Sequence, residues 1–220
     1  MNKKKIIFCD FDGTITNQDN ILAIMDKFQP DGWEDIVQQL IANQLSIRQA
    51  VGAMFALLPS SEKQEIIDYT IQQATIRTGF DEFVTYCSLH DIELFVTSGG
   101  IDFFIYPLLA PYAIDHSHIY CNQSSFASPY VEIVWPHPCD TQCDQDCGMC
   151  KTTIIRSYDA NTYHRILIGD SLTDFAGAQL VETRFARSYL IELCTHLGLT
   201  YTPFEDFHTI IHALEEMNQQ

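Results

Sequence analysis

Apolar positions along this 220-residue chain change their period twice, and the changes divide it into parts. Near the N-terminus, Ile6-Ile7-Phe8-Cys9 is a short unbroken apolar run, partly β-branched and closed by Gly13, which predicts a buried strand. From residue 17 to 78 the apolar residues recur every three to four positions instead, predicting helices over 20–28, 33–43, 46–58 and 60–76. The breaks fall at Pro30-Asp31-Gly32, Asn43-Gln44 and Pro59-Ser60-Ser61, with Ser60 as the expected N-cap of the fourth helix. After Gly79, strands and helices alternate. The pattern predicts a helix over 81–90, a strand over 92–97 with a tight bend at Ser98-Gly99-Gly100, and a helix over 102–109 stopped by Pro111. Paired strands over 118–126 and 131–135 follow, then a helix over 151–158, a strand over 165–168, and helices over 173–180 and 207–217. This order predicts an α/β fold: a doubly wound, mostly parallel sheet with helices on both faces and a helical bundle inserted after the first strand. The expected domains are residues 1–16 with 79–220, and the insertion 17–78.

Composition narrows the function classes. Hydrophobic residues make up 46% and charged residues 19% of the chain, which is ordinary for a globular protein. The formal net charge of −17 argues against nucleic acid and against an anionic membrane surface as partners. No apolar run reaches the length of a membrane span, and Asp10 and Asp12 interrupt any signal-peptide core, so a cytoplasmic location is expected. A homodimer is left open. Of eight cysteines, Cys9, Cys87, Cys121 and Cys194 are scattered in apolar surroundings and read as small buried side chains. Cys139, Cys143, Cys147 and Cys150 are clustered, which in a reducing compartment points to metal or free thiols before disulfides. Their spacing holds one clean Cys-x-x-Cys, so tetrahedral Zn²⁺ and free or partly oxidised thiols stand as alternatives.

Candidate chemistry gathers where apolar strands end. Asp10-Phe11-Asp12-Gly13-Thr14, Ser98-Gly99-Gly100 and Gly169-Asp170-Ser171-Leu172-Thr173-Asp174 are three such ends, and Lys151 opens a helix between the second and third. In a parallel sheet these bends collect along one edge, where ligands bind. Two buried carboxylates need a partner, and a hard cation such as Mg²⁺ suits oxygen ligands and phosphate substrates. Each piece also has a plain reading. The first could be a strand and an Asp-Gly turn with solvated aspartates; the second could be only a turn. Asp170 could be a helix N-cap, Asp174 a first-turn carboxylate, and Lys151 a surface lysine. Their order along the chain makes the set more specific than any member.

That set resembles the haloacid dehalogenase superfamily of aspartate-nucleophile phosphatases, over the whole chain. Asp10 to Thr14 match its first motif, Ser98 its second, Lys151 its third, and Gly169-Asp170 through Asp174 its fourth. The resemblance implies a Rossmann-like core, and the helical insertion is similar to the cap of the phosphoserine-phosphatase-like branch. It further implies Asp10 as nucleophile and Asp12 as general acid and base. Mg²⁺ would be held by Asp10, Asp170 and the Asp12 backbone carbonyl. Ser98, Gly99 and Lys151 would bind phosphate, and Asp174 would orient Lys151 or a metal-bound water from behind. The chain departs from phosphoserine phosphatases in placing Val51, with Arg48 one turn earlier, where that branch has an arginine for the substrate carboxylate; Asp19 stands where it has a glutamate for the amino group. A small phosphorylated substrate without a carboxylate is therefore expected. The cysteine-rich run into Met149-Cys150-Lys151 is similar to a methionine-salvage branch of the superfamily. The rivals are a phosphatase for phosphocholine, phosphoethanolamine or phosphoserine-like esters, and a non-catalytic phospho-ligand-binding protein. Phe28, Trp33, Met54 and Phe55 are candidates to line the pocket, with bundle core as their alternative; Trp135 and His137 are further candidates of no fixed place.

Overall fold

The computed structural model describes residues 3–218. The first strand, β1 (Lys4–Cys9), leads into a turn over Phe11–Ile15 and then into four helices: α1 (Asn20–Phe28), α2 (Trp33–Ile41), α3 (Ile47–Phe55) and α4 (Lys63–Gln73). The alternating part follows as α5 (Phe80–Leu89), β2 (Glu93–Ile101), α6 (Asp102–Leu109), β3 (Ile119–Ser125) and β4 (Glu132–Val134). It continues through α7 (Lys151–Arg156), β5 (Tyr163–Gly169), α8 (Leu172–Ala178), β6 (Thr183–Ala186), α9 (Ser188–His196), β7 (Thr202–Pro203) and α10 (Phe207–Asn218).

The seven strands lie in the order β4-β3-β2-β1-β5-β6-β7. All neighbours are parallel except the β3–β4 hairpin. Alternation along each central strand sends side chains to two separate cores. Ile7, Cys9, Val96, Ile166 and Ile168 face one, under α1, α3, α5, α6 and α10. Ile6, Phe8, Phe95 and Leu167 face the other, under α7, α8 and α9. A sheet buried on both faces is why these strands read as unbroken apolar runs. The chain winds from β1 outward to β2 and β3, then returns to β5 on the other side of β1. Strand order therefore reverses beside β1, and the crevice at the carboxyl ends of β1 and β5 is the ligand position for such a sheet.

The helices between β1 and β2 leave and rejoin the sheet at one neck. Thr16 and Ile76 form an antiparallel bridge there, with the Asn17 N–H donating to the Thr75 carbonyl and the Arg77 N–H to the Ile15 carbonyl. Their far side touches the β3–β4 hairpin: the Val131 N–H donates to the Leu58 carbonyl and the Ser60 N–H to the Pro129 carbonyl.

Two local expectations change, and one region is new. Ser60 is not a helix cap: Pro59 precedes a single 3-10 turn over Ser60–Glu62, and the Ser60 hydroxyl has no partner. The reciprocal capping box belongs to Ser46 and Gln49 at the start of α3, which satisfies two backbone donors that a helix end leaves open. Strand β2 does not end at Thr97 but runs through Ser98-Gly99-Gly100, with a shift of register against β3 that carries Ser98 into the crevice. Between residues 181 and 206 the structure adds β6, α9 and β7, for which the sequence pattern gave no expectation.

Candidate active site

Asp10 follows β1 directly, and its N–H donates to the Ile168 carbonyl of β5 at 2.9 Å, so the sheet itself fixes its backbone. Its carboxylate is buried and accepts from the Lys151 ammonium at 2.7 Å. Lys151 also pairs with Asp174, which is fully buried and accepts the N–H groups of Asp170 and Ser171 at 3.1 and 3.2 Å. The helix cap of α8 is thus Ser171, boxed with Asp174, and not Asp170. That leaves the Asp170 carboxylate free to face the crevice, where the Thr14 hydroxyl donates to it at 3.2 Å. Asp10, Asp170 and Asp174 each offer an oxygen within 4.8 Å of the others.

Asp12 points to the other side of the turn. One oxygen accepts both the Asn20 side-chain amide at 2.6 Å and its backbone N–H at 3.0 Å; the other lies 3.4 Å from the Ser98 hydroxyl. Ser98 is fully buried and accepts the Gly100 N–H. Gly99 faces open space, and its carbonyl is held by the Asn122 amide. Gly13 makes the turn possible: its φ is +77°, and a Cβ there would collide with the Asp170 carboxylate. All the sequence-predicted core residues, Asp10, Asp12, Ser98, Gly99, Lys151, Asp170 and Asp174, therefore meet at one sheet edge.

Burial and mutual repulsion set the charge states. Burial, then the neighbouring Asp174 charge, push Asp10 well above the usual carboxylate range, against the pull of Lys151. Asp170 is raised to about 6 by the same two causes. Asp12 is raised to about 7, first by burial and then by the Asp19 charge. For Lys151, burial works to lower the pKa, but Asp10 and Asp174 outweigh it and keep the ammonium charged. One lysine thus faces three clustered carboxylates, an excess of negative charge that a divalent cation would neutralise. The donor set is all oxygen, which suits Mg²⁺.

A cavity opens beside Lys151, bordered by Ile47 of α3, Gly99, Met149, Thr173 and Ala176, with Cys143 and Cys147 on its rim. Among the described residues, Lys151 is the only cationic side chain lining it. None of the candidate pocket residues borders it, and the alternative of bundle core holds for those of the insertion. Met54 and Phe55 are buried in the core, Phe55 edge-on to Phe103. Phe28 packs edge-on to Tyr69, and Trp33 packs partly buried against the same core. Trp135 covers Gly52 and Gly148, while His137 rests on Tyr120.

Three supporting residues had no sequence signal. Arg77 is buried and donates to the Gly13, Thr14 and Thr16 carbonyls, so it holds the whole Asp10–Thr16 turn from behind. Asn20 holds Asp12, and Asn122 holds Gly99. A lone Arg or Asn carries no spacing pattern; only the folded chain shows where its donors go.

Residues 7–179 match the haloacid dehalogenase-like hydrolase family, and the chain belongs to it. It is an enzyme of the phosphatase class. It is 50% identical to the 2-hydroxy-3-keto-5-methylthiopentenyl-1-phosphate phosphatase of Brevibacillus brevis, over 100% of this chain and 99% of that protein. It is 44% identical to the protein of the same name from Geobacillus kaustophilus, over 99% of this chain and 98% of that one. Among solved structures, a substrate-bound phosphoserine phosphatase complex superposes with a TM-score of 0.70 at 17% identity, covering 97% of this chain and 99% of the other. A probable phosphoserine phosphatase from Vibrio cholerae gives 0.73 at 16% identity, covering 99% of this chain and 67% of that one. At such identities the likeness establishes the fold alone.

Proposed function

We propose that the protein hydrolyses 2-hydroxy-3-keto-5-methylthiopentenyl-1-phosphate, releasing inorganic phosphate in methionine salvage, with Asp10 as nucleophile. The observation that carries the chemistry is the meeting of Asp10, Asp12, Lys151 and Asp170 at the end of β1. The substrate reading rests on the two full-length relatives of that name and on the cavity, where Lys151 is the one cation among the described lining residues. Arg48, the nearest candidate for such a role, is paired with Asp146 instead.

Asp10 attacks phosphorus, the bond to the leaving oxygen breaks, and an aspartyl phosphate forms. Asp12 gives its proton to the leaving oxygen. It then takes a proton from the water that cleaves the intermediate and regenerates Asp10. A carboxyl raised to about 7 is suited to both halves, since each form is populated near neutrality. Asn20 keeps Asp12 aimed by donating twice to one oxygen, leaving the other for the proton. Ser98, the Gly99 N–H and Lys151 hold the phosphoryl oxygens, and Asp174 keeps Lys151 in place. Asp10, Asp170 and the Asp12 backbone carbonyl would hold Mg²⁺, which when bound shields the nucleophile from the charge of the phosphate.

Residues 17–78 are the cap, joined to the core at the Thr16–Ile76 neck and covering the crevice through Ile47. Closing over substrate would exclude bulk water from the crevice during attack on phosphorus. The eight free cysteines suit a reducing cytosol. The test is steady-state hydrolysis of the methionine-salvage ester beside phosphoserine, phosphocholine and pyridoxal phosphate. A kcat/KM for the first at least tenfold above each other ester is expected; a preference for any of the others refutes the substrate.

A further inference from the structure

The segment before α7 has an unusual construction. Residues 135–150 contain no helix or strand, and most of their side chains are polar or only half buried. Stretches of that length without regular structure are uncommon in compact domains unless something else holds them. This one carries Cys139-x3-Cys143-x3-Cys147-x2-Cys150. All four sulfurs lie within 4.8 Å of one another. A tetrahedral tetrathiolate with Zn–S bonds of about 2.3 Å has sulfur–sulfur edges of about 3.8 Å. The Cys143 and Cys147 sulfurs are 3.8 Å apart. Disulfides need sulfurs brought together only in pairs; four converging on one point is the arrangement a tetrahedral ion requires.

The backbone serves the same convergence. The Cys150 N–H donates to the His137 carbonyl and closes the neck of the loop. Asp146 and Gly148 take φ of +52° and +82°, reversing the chain so that Cys147 and Cys150 turn toward Cys139 and Cys143. Gly148 is required, because a Cβ there would sit 2.7 Å from the Trp135 ring. The sulfurs also have donors that suit thiolates: the Cys147 N–H points at the Cys139 sulfur at 3.4 Å, and the Thr152 hydroxyl lies 3.2 Å from that of Cys150. Arg156 stands beside the loop, its guanidinium gripping Asp140 between the first two cysteines.

We propose that Cys139, Cys143, Cys147 and Cys150 bind one Zn²⁺ as a closed tetrathiolate site, and that this ion positions Lys151 for phosphate. The closed, four-thiolate shell makes the ion structural, with no open position for chemistry. Its reach is set by its neighbours. Cys150 is adjacent to Lys151, so fixing one backbone fixes the start of α7 and the lysine with it. Between Cys143 and Cys147 the loop offers Asp146, which accepts from the Ser46 hydroxyl and the Arg48 guanidinium, each at 2.6 Å, at the start of α3. The site therefore ties the helical insertion to the core at the point where both border the cavity. Binding of so many ligands from one unstructured loop also means that the loop's order depends on the ion.

The test uses the full-length protein purified under reducing conditions and passed through a chelating buffer that strips loosely held Mg²⁺. One zinc per chain by elemental analysis is expected, released as four thiols react with a mercurial. Replacement by Co²⁺ should give sulfur-to-cobalt charge-transfer bands and the visible bands of a tetrahedral ion. Zinc well below one-tenth equivalent, iron in its place, or a mass showing disulfides among these four cysteines would overturn the assignment. Cys143→Ser and Cys147→Ser should each lose zinc; should either fail to fold, the wild-type stoichiometry and cobalt spectrum still decide. For the link to Lys151 the probe is inorganic phosphate as inhibitor. Loss of zinc should weaken its inhibition by about tenfold, the usual scale for a support lost behind a binding group, with the apparent affinity for Mg²⁺ unchanged. Unaltered phosphate inhibition in zinc-free, folded protein would overturn that half. Neither readout depends on the organic part of the substrate, so failure here and failure of the proposed substrate are separable.

Discussion

Two ligand clusters meet at the bond between Cys150 and Lys151, and they are held in opposite ways. The carboxylates of Asp10, Asp170 and Asp174 stand at the ends of β1 and β5 and on the first turn of α8, positions fixed by sheet pairing and by the Arg77 brace. The four thiols stand on a loop with no such support. Rigid elements can keep carboxylates buried and close together even though this is unfavourable, and the raised pKa values of Asp10 and Asp170, from burial first and the Asp174 charge second, record that cost. A loop cannot do so by itself, and four sulfurs gathered on one need an ion. The lesson is that the oxygen cluster should keep its shape without metal, whereas the sulfur cluster should not.

The largest expected effect separates chemistry from scaffold. Asp10→Asn should lower kcat by at least ~10⁴-fold, the scale seen when a nucleophile is removed, while zinc content stays at wild type. Turnover near the wild-type rate would refute Asp10 as nucleophile. Next, chelation should set the two clusters apart: mild chelator should abolish activity reversibly, with Mg²⁺ restoring it and the zinc retained. Full activity after exhaustive chelation would remove the role of Mg²⁺.

Asp12→Asn should cost about 10²–10⁴-fold in kcat, the usual worth of acid–base catalysis. It should also raise Tm, because the folded state holds the Asp12 proton more tightly than the unfolded chain does. For such a group stability falls as pH rises from the ordinary carboxylate range through about 7, so above that range the charge is a burden that Asn relieves. A gain of roughly 2–4 °C per kcal/mol is expected for a domain of this size, measured by thermal melts at pH 8. The same titration predicts that kcat/KM falls above about pH 7 as Asp12 loses its proton. On the acid side, the Mg²⁺ requirement should rise below about pH 6 as Asp170 gains one. A pH profile flat from 5 to 9 would contradict both assignments. The smallest effect tests the join between the clusters. Asp146→Ala breaks a half-exposed ion pair with Arg48, so the loss of stability should lie within about 1 kcal/mol by thermal melts, and the looser join should show separately as a modest rise in KM with kcat kept.

Much of this was legible before folding, for identifiable reasons. Ile6 to Cys9 announced a buried strand because both faces of the sheet are covered, and Asp10-Phe11-Asp12-Gly13-Thr14 announced the turn because Gly13 must take a positive φ against Asp170. The region from 181 to 206 was not legible: β6 has four residues and β7 two, too short for any period to show, and α9 between them buries only Leu190 and Cys194, too sparse an apolar stripe to stand out. The pocket lining was open for a different reason. Apolar residues of the insertion could serve either the pocket or the core; Phe55 serves the core, and the cavity wall comes from Ile47 and the cysteine loop.

Residue type and order along the chain determined which groups could do chemistry: two aspartates one residue apart after a strand, a lysine opening a helix, four thiols in twelve positions. Those are properties of covalent spacing. Which groups share a charge, a proton or an ion was decided only when β1 and β5 paired and the loop folded back on Trp135, because electrostatic coupling depends on distance through space. Arg77 is the clearest instance: sixty-odd residues from the turn it supports, it acquires a role only from its place at the neck.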